Sequence, residues 1–274
     1  MRSLDQHTLL FGVVGTPIGH SLSPAMHNAA FEDKGLNAVY LAFETGDPEG
    51  IVSGMRAFKI RGLSVTIPLK TSVIPHLDEV DETAEKIGAV NTIVNNEGRL
   101  KGYNTDAMGA AKALEEKTEL KDKSCLIIGA GGAARAIGFI LKEKGVRLIV
   151  ANRSVERGEG LARALDCPFV PLERLGNQRV DLLIQTTPVG MHPHVDQSPV
   201  QEDILHQGMI VMDIIYNPIE TRLLKQAKAG DCLTINGLGM FVYQGAEQFR
   251  LWTNMEPPVS AMRRVVEESL VRRQ

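Results

Sequence analysis

At 274 residues and 43% hydrophobic content, the chain is long enough to bury one large core or two medium ones. A formal net charge of −3 excludes a broad basic face for nucleic acid. No apolar run is long enough to cross a bilayer, and the opening Met1-Arg2-Ser3-Leu4-Asp5-Gln6-His7 lacks a signal-peptide core, so no membrane partner and a cytoplasmic location are expected.

In chain order, Phe11-Gly12-Val13-Val14 reads as a first strand, followed by a helix over 23–34, a strand over 38–43, a helix over 48–58 and a strand over 63–67. Asn95-Asn96-Glu97-Gly98 predicts a hairpin joining strands at 90–94 and 99–103, which makes this region α/β with mixed strand directions. A helix from Thr105 to about Glu116, capped by Asn104 or Thr105, leads into a second α/β pattern. Its strand candidates lie at 125–128, 147–150, 180–185, 209–214 and 232–235, separated by helical or polar stretches, as in a parallel sheet with helices on both faces. Helices over 239–251 and 257–272 end the pattern and are most simply packed onto the first region. Cys125, Cys167 and Cys232 are scattered and odd in number, which argues against a disulfide framework or zinc site; Cys125 and Cys232 read as strand core. His192 and His194 form a His-x-His pair without a carboxylate or Cys cluster, so no metal is expected.

The strand Ser124-Cys125-Leu126-Ile127-Ile128 runs straight into Gly129-Ala130-Gly131-Gly132-Ala133-Ala134 and a helix-forming stretch, with Arg147-Leu148-Ile149-Val150 following at βαβ spacing. This is a dinucleotide-binding turn: the glycines let the backbone bend sharply and approach a pyrophosphate, and the helix start offers unpaired N–H groups and the positive end of its dipole. Where NAD-binding folds usually place an Asp or Glu for the ribose, this chain has Asn152-Arg153-Ser154, with Arg157 one helical turn on. A carboxylate would repel a 2′-phosphate, whereas these guanidiniums bind it by charge-assisted hydrogen bonds, so the expected cofactor is NADP. Thr186-Thr187-Pro188 follows a strand end and is expected to pass beside a cofactor ribose.

Polar residues also gather at strand ends in the first region, where α/β folds place ligands. Ser23, followed by Pro24, reads as a helix cap, but Ser21 two residues earlier is left to face a pocket. Lys70, at the end of Thr66-Ile67-Pro68-Leu69-Lys70, reads alone as a surface charge. Asn91-Thr92 and Asn104-Thr105-Asp106 read equally as turn and cap chemistry or as ligand contacts.

Together these segments resemble the shikimate dehydrogenase family. The residues that carry the likeness are Gly15-Thr16-Pro17-Ile18-Gly19-His20-Ser21-Leu22-Ser23-Pro24, Val65-Thr66-Ile67-Pro68-Leu69-Lys70, Gly88-Ala89-Val90-Asn91-Thr92, Asn104-Thr105-Asp106, the glycine turn, Asn152-Arg153-Ser154, Tyr216-Asn217-Pro218, and Asn236-Gly237-Leu238-Gly239-Met240 with Gln244. The resemblance implies two domains: a mixed α/β substrate domain over 1–106 and 240–274, and a Rossmann-type, doubly wound parallel-sheet NADP domain over 107–239, with the active site in the cleft between them. It implies reversible, NADP-dependent reduction of 3-dehydroshikimate to shikimate, on the route to chorismate and the aromatic amino acids.

Carried onto this sequence, the resemblance makes Lys70 and Asp106 the catalytic pair. Ser21 and Ser23 would hold the substrate carboxylate, and Thr66, Lys70, Asn91, Asp106, Tyr216 and Gln244 would contact the substrate. Gly129, Ala130, Gly131, Gly132, Ala133, Asn152, Arg153, Ser154, Arg157, Ile214, Gly237 and Met240 would line the cofactor. Hydride transfer to a ketone builds negative charge on its oxygen, which calls for a proton donor within hydrogen-bond reach; a protonated Lys70 meets that need, and the reverse oxidation needs it neutral. One departure stands out: the family often has Asn immediately before the Val-Thr of the Lys motif, and this chain has Ser64. The partners expected are a small-molecule substrate and, at most, a second copy, as monomer or homodimer. Two alternatives stay open, an NAD-using quinate/shikimate dehydrogenase and a non-catalytic sensor of a shikimate-type ligand.

Overall fold

Short apolar segments divided by glycine and polar turns fold into two sheets of six strands each in the computed structural model, which describes residues 4–176 and 178–272. The chain divides into two compact units, Met1–Thr105 with Val242–Gln274, and Asp106–Phe241. The breaks follow Thr105 and Phe241, one residue before and two residues after the boundaries at Asp106 and Gly239 that the resemblance implies.

The first unit contains β1 (Leu9–Gly15), α1 (Ser23–Asp33), β2 (Ala38–Glu44), α2 (Pro48–Ala57), β3 (Gly62–Val65), β4 (Glu79–Val80), α3 (Glu82–Ile87), β5 (Thr92–Asn96) and β6 (Arg99–Tyr103). Its sheet order is β2-β1-β3-β5-β6-β4, parallel from β2 to β3 and antiparallel across β3-β5 and β5-β6. Asp47 caps α2 by accepting from the N–H groups of Glu49 and Gly50, with Pro48 at the first helical position. β3 stops at Val65, two residues short of the expected strand. Beyond it Leu69 N–H donates to Thr66 O in a turn, and Pro68 has no N–H to continue a ladder. The short elements β4 and α3 had too little periodicity to announce themselves.

The second unit contains α4 (Asp106–Glu115), β7 (Ser124–Ile128), α5 (Gly132–Glu143), β8 (Arg147–Asn152), α6 (Val155–Leu165), β9 (Phe169–Pro171), β10 (Leu182–Gln185), β11 (Ile210–Asp213), α7 (Arg222–Ala229) and β12 (Leu233–Ile235). All strands are parallel in the order β12-β11-β10-β7-β8-β9. This is the doubly wound arrangement, in which the order reverses beside the first strand and leaves a crevice at the strands' carboxyl ends. Cys125 is fully buried in β7, but Cys232 is a correction: it precedes the edge strand β12, is half-buried, and its thiol donates to His206 O at 3.3 Å. An edge strand has no neighbour on one side to enclose it, and Leu233 beside Cys232 is exposed.

α8 (Gly237–Thr253) runs through the second break, and α9 (Val259–Val271) packs against α1. The later part of α8 belongs to the first unit, where Trp252 Nε1 donates to Ile93 O at 3.0 Å and its ring lies 5.4 Å from Phe11. Phe11 meets Phe31 at 5.0 Å, and the His27 ring stacks on Tyr40 at 4.5 Å. Such aromatic pairs add about 0.5–1.5 kcal/mol each beyond their buried area. Among the described residues no helix is long and apolar enough to cross a membrane.

His27 is fully buried in this cluster, and loss of hydration pushes its pKa down to about 3 against the opposing effect of the hydrogen bond to Gln248 Oε1. The folded protein therefore keeps His27 neutral while the unfolded chain binds a proton below about pH 6.5, so stability from this site is present above that pH and lost as the pH falls below it. His27→Leu should lower the melting temperature at pH 8, where ring stacking and the Gln248 bond are lost, and make the melting temperature fall less than the wild type's between pH 7 and pH 5. Parallel pH profiles for the two proteins would contradict a neutral, buried His27.

Candidate active site

Several of the polar residues noted in the first unit lie on segments that hydrogen bonds tie together. Parallel strands end with backbone groups that the ladder no longer pairs, and here loops complete them: Thr66 N–H donates to Val14 O at 2.9 Å and Thr16 N–H to Ile67 O at 3.0 Å, tying the β1 and β3 exits together. Val90 N–H donates to Lys70 O at 2.7 Å, which sets the backbone of Lys70 beside the segment leading into Asn91. Asn91 is 2% exposed, and its Oδ1 accepts from Thr105 N–H and Thr92 Oγ1, each at 2.8 Å, while its Nδ2 donates to Thr105 Oγ1 at 3.0 Å. Its amide is thus held by both flanking elements.

Ser23 differs from its expected cap role. α1 starts at Ser23 itself with Leu22 in the cap position, and no side chain caps that helix; Ser21 Oγ instead accepts from Ser23 N–H at 3.2 Å. Asn104 Nδ2 donates to Ala89 O at 2.9 Å, and Thr105 faces Asn91, so both anchor the approach to Asp106, the buried first residue of α4. Gln244 lies one turn before Gln248 on α8, and Gln248 Nε2 reaches Asn91 O at 3.2 Å. Ser21, Thr66, Lys70 and Gln244 are all partly accessible.

In the second unit, the turn after β7 has the geometry that a phosphate cradle requires. Gly129 has φ +116°, outside the range of ordinary side chains, and a Cβ there would collide with Thr186 Oγ1; Gly131, at the cap of α5, would carry a Cβ into open space. Thr186 is held by N–H and Oγ1 bonds to Ile128 O at 2.9 and 2.7 Å. The first-turn N–H groups of α5 at Gly132, Ala133 and Ala134 are of the kind that bind phosphate. At the end of β8, Asn152 Nδ2 donates to Ser154 O at 2.8 Å, while Arg153, Ser154 and Arg157 are exposed. Arg153 also lines a cavity of about 440 Å³ with Leu172, Val200 and Ile204. Backbone N–H groups and guanidiniums together form a donor set that fits a phosphorylated dinucleotide.

Ile214, Tyr216, Gly237 and Met240 cluster at the exits of the remaining strands. Gly237 N–H donates to Ile215 O at 3.1 Å, and a Cβ on Gly237 would collide with Ile214 O, so only glycine allows this approach. Tyr216 stacks on Phe241 at 4.3 Å, next to Met240, which is buried.

Three family models match the chain in succession: a shikimate dehydrogenase substrate binding domain over residues 13–93, shikimate/quinate 5-dehydrogenase over 110–232, and a shikimate 5′-dehydrogenase C-terminal domain over 237–267. A relative from Methanocaldococcus jannaschii, named shikimate dehydrogenase (NADP(+)), is 45% identical across 98% of this chain and 100% of its own length. The chain belongs to the shikimate dehydrogenase family. A second member with the same name, from Geobacillus kaustophilus, is 48% identical across 96% of this chain and 99% of its own length. Among solved structures, shikimate 5-dehydrogenase from Thermus thermophilus in complex with NADP(H) and shikimate is similar at TM-score 0.90, with 40% identity over 96% of this chain and 100% of that one.

The fold also assembles residues that motif reading passed over in this member of the shikimate dehydrogenase family. Gln185, at the end of β10 and fully buried, donates through Nε2 to Thr187 Oγ1 at 2.9 Å and Val189 O at 3.0 Å, and accepts from Thr187 N–H, so it shapes the Thr186-Thr187-Pro188 turn. Asp213, ending β11 with 0% exposure, accepts from Ile215 N–H at 3.0 Å and Thr221 Oγ1 at 2.7 Å, which pins the loop carrying Tyr216. The available signal was a polar residue closing an apolar strand, as in Ile210-Val211-Met212-Asp213.

Burial raises the Asp213 pKa to about 7, against the lowering effect of its two hydrogen bonds. Between about pH 4 and 7 the folded state holds a proton that the unfolded chain has released, so this site's contribution to stability declines as pH rises through that window. Asp213→Asn should therefore gain melting temperature relative to wild type on going from pH 5 to pH 8. A difference that stays constant with pH would mean that Asp213 does not titrate there.

Proposed function

We propose that this chain interconverts 3-dehydroshikimate and shikimate with NADP, a step on the route to chorismate and the aromatic amino acids. The observation that carries the reading is full-length identity of 45% to a relative named shikimate dehydrogenase (NADP(+)), in a chain that retains Lys70, Asp106 and the glycine turn. In this reading Met1–Thr105 with Val242–Gln274 is the substrate unit and Asp106–Phe241 the cofactor unit.

When bound, the dinucleotide would supply the hydride in its reduced form, NADPH, for ketone reduction, and take it up in its oxidised form, NADP+, for the reverse oxidation. Lys70 gives a proton to the carbonyl oxygen as negative charge builds there, and takes it back from the shikimate hydroxyl in the reverse direction. Asp106 orients the Lys70 ammonium and accepts a hydrogen bond from a substrate hydroxyl. Ser21 and Ser23 hold the carboxylate, while Thr66, Asn91, Tyr216 and Gln244 meet the ring substituents. The amide of Asn91, fixed by Thr92 and Thr105, suits this role because little orientational freedom is left to lose on binding. On the cofactor side, residues 129–133 bind the pyrophosphate, Asn152, Arg153, Ser154 and Arg157 the adenosine ribose and its 2′-phosphate, and Ile214, Gly237 and Met240 the nicotinamide side.

Lys70→Ala should lower kcat by about 10²–10⁴-fold, the usual range for a lost general acid, with a smaller change in shikimate KM. Near-normal turnover in purified variant protein would remove Lys70 from the mechanism. Arg153→Ala should raise KM for NADP by roughly 10- to 100-fold, as expected for one charge-assisted hydrogen bond, and leave KM for NAD nearly unchanged. Equal effects on both dinucleotides would deny Arg153 the 2′-phosphate.

A further inference from the structure

The side chain of Gln248 ties three elements of the first unit together inside the protein. It lies on α8, is 1% exposed, and is itself absent from the proposed set of substrate contacts. Its Nε2 donates to Asn91 O at 3.2 Å and Thr92 Oγ1 at 3.0 Å. Its Oε1 accepts from Ser64 Oγ on β3 at 2.7 Å and lies 3.2 Å from His27 Nε2. Because a backbone carbonyl only accepts, the Asn91 contact fixes which end of the Gln248 amide faces β5. The directions of the remaining bonds follow: the Ser64 hydroxyl donates to Oε1, Tyr40 O–H donates to Ser64 Oγ at 2.6 Å, and His27 carries its proton on Nε2. Consistently, His27 Nδ1 is the ring nitrogen left without a partner.

We propose that Gln248 is a positioning residue for Asn91, and that Ser64 and Gln248 form one coupled pair in which α8 supplies the buried amide that an Asn at position 64 would bring from β3. Ser64 is buried at 7% exposure, and its hydroxyl is engaged by both Tyr40 and Gln248. The space beyond this short side chain is taken by Gln248. The Gln248 bonds to Asn91 O and Thr92 Oγ1 act on the residue whose own amide is held by Thr92, so losing them loosens Asn91, a member of the proposed substrate-binding set. Leaving buried acceptors and donors unpaired has a free-energy cost that appears wherever the group they support is used.

This inference rests on the proposed function, and four proteins test it: wild type, Gln248→Ala, Ser64→Asn and the double variant, each assayed with shikimate and NADP and each melted. Gln248→Ala should raise shikimate KM about tenfold, with kcat and NADP KM changed little. Ser64→Asn alone should be impaired by crowding against Gln248, and the double variant should recover both shikimate KM and melting temperature. A Gln248→Ala protein with unchanged shikimate KM, with shikimate and NADP KM raised alike, or with no recovery on adding Ser64→Asn would overturn the proposal. If wild type turns over no shikimate, the proposed function fails, and the melts still decide the coupling: a restored double variant supports it and additive losses overturn it.

Discussion

A parallel strand ends with backbone donors and acceptors that its neighbours cannot fully pair, and burying them unpaired is costly. Both sheets meet this constraint with the segments that carry the proposed chemistry. In the second unit Gly129 N–H reaches Ala151 O, Thr186 N–H reaches Ile128 O and Ile214 N–H reaches Gln185 O, so each exit loop is stitched to the next strand. In the first unit the same stitching joins Thr16 with Ile67 and Thr66 with Val14. The exits cannot wander without breaking buried hydrogen bonds, and the side chains they bear inherit that rigidity.

Buried polar side chains extend the same principle into the core. Gln185, Asp213 and Gln248 are each buried, with hydrogen bonds directed at a loop or strand end near a residue of the expected site. Such groups add little net stability, since each exchanges bonds to water for bonds to protein. Their effect is on uniqueness: a loop that slipped by one residue would strand a carboxylate or an amide in the interior. Precise placement of Thr187, Tyr216 and Asn91 is therefore a by-product of satisfying three side chains that need not touch substrate or cofactor.

Local features were legible in the sequence because their causes are local. The glycine turn follows an apolar strand and contains a residue at φ +116°, a conformation that nearly demands glycine, and the Asn96-Glu97-Gly98 hairpin has positive φ at Glu97 and Gly98. The roles given to Lys70, Asp106 and the serines came from the resemblance of ordered motifs, since a lysine after a strand reads on its own as surface. What escaped was set by distance in the chain. Gln248 meets Thr92 across 156 positions and Ser64 across 184, and no window of sequence relates them. Ser23 was misread as a cap because Ser-Pro at a helix start usually is one, and Cys232 was misread as core because the pattern does not tell an edge strand from a central one.

The proposed function is a single reaction with a single cofactor preference, and initial rates of shikimate oxidation by the purified protein, followed as reduced dinucleotide with NADP and with NAD in parallel, test it most directly. Robust turnover with NADP and a kcat/KM at least roughly tenfold lower with NAD, as loss of one charge-assisted contact to the 2′-phosphate requires, is the predicted result. Absence of shikimate turnover, or equal use of NAD, would contradict it.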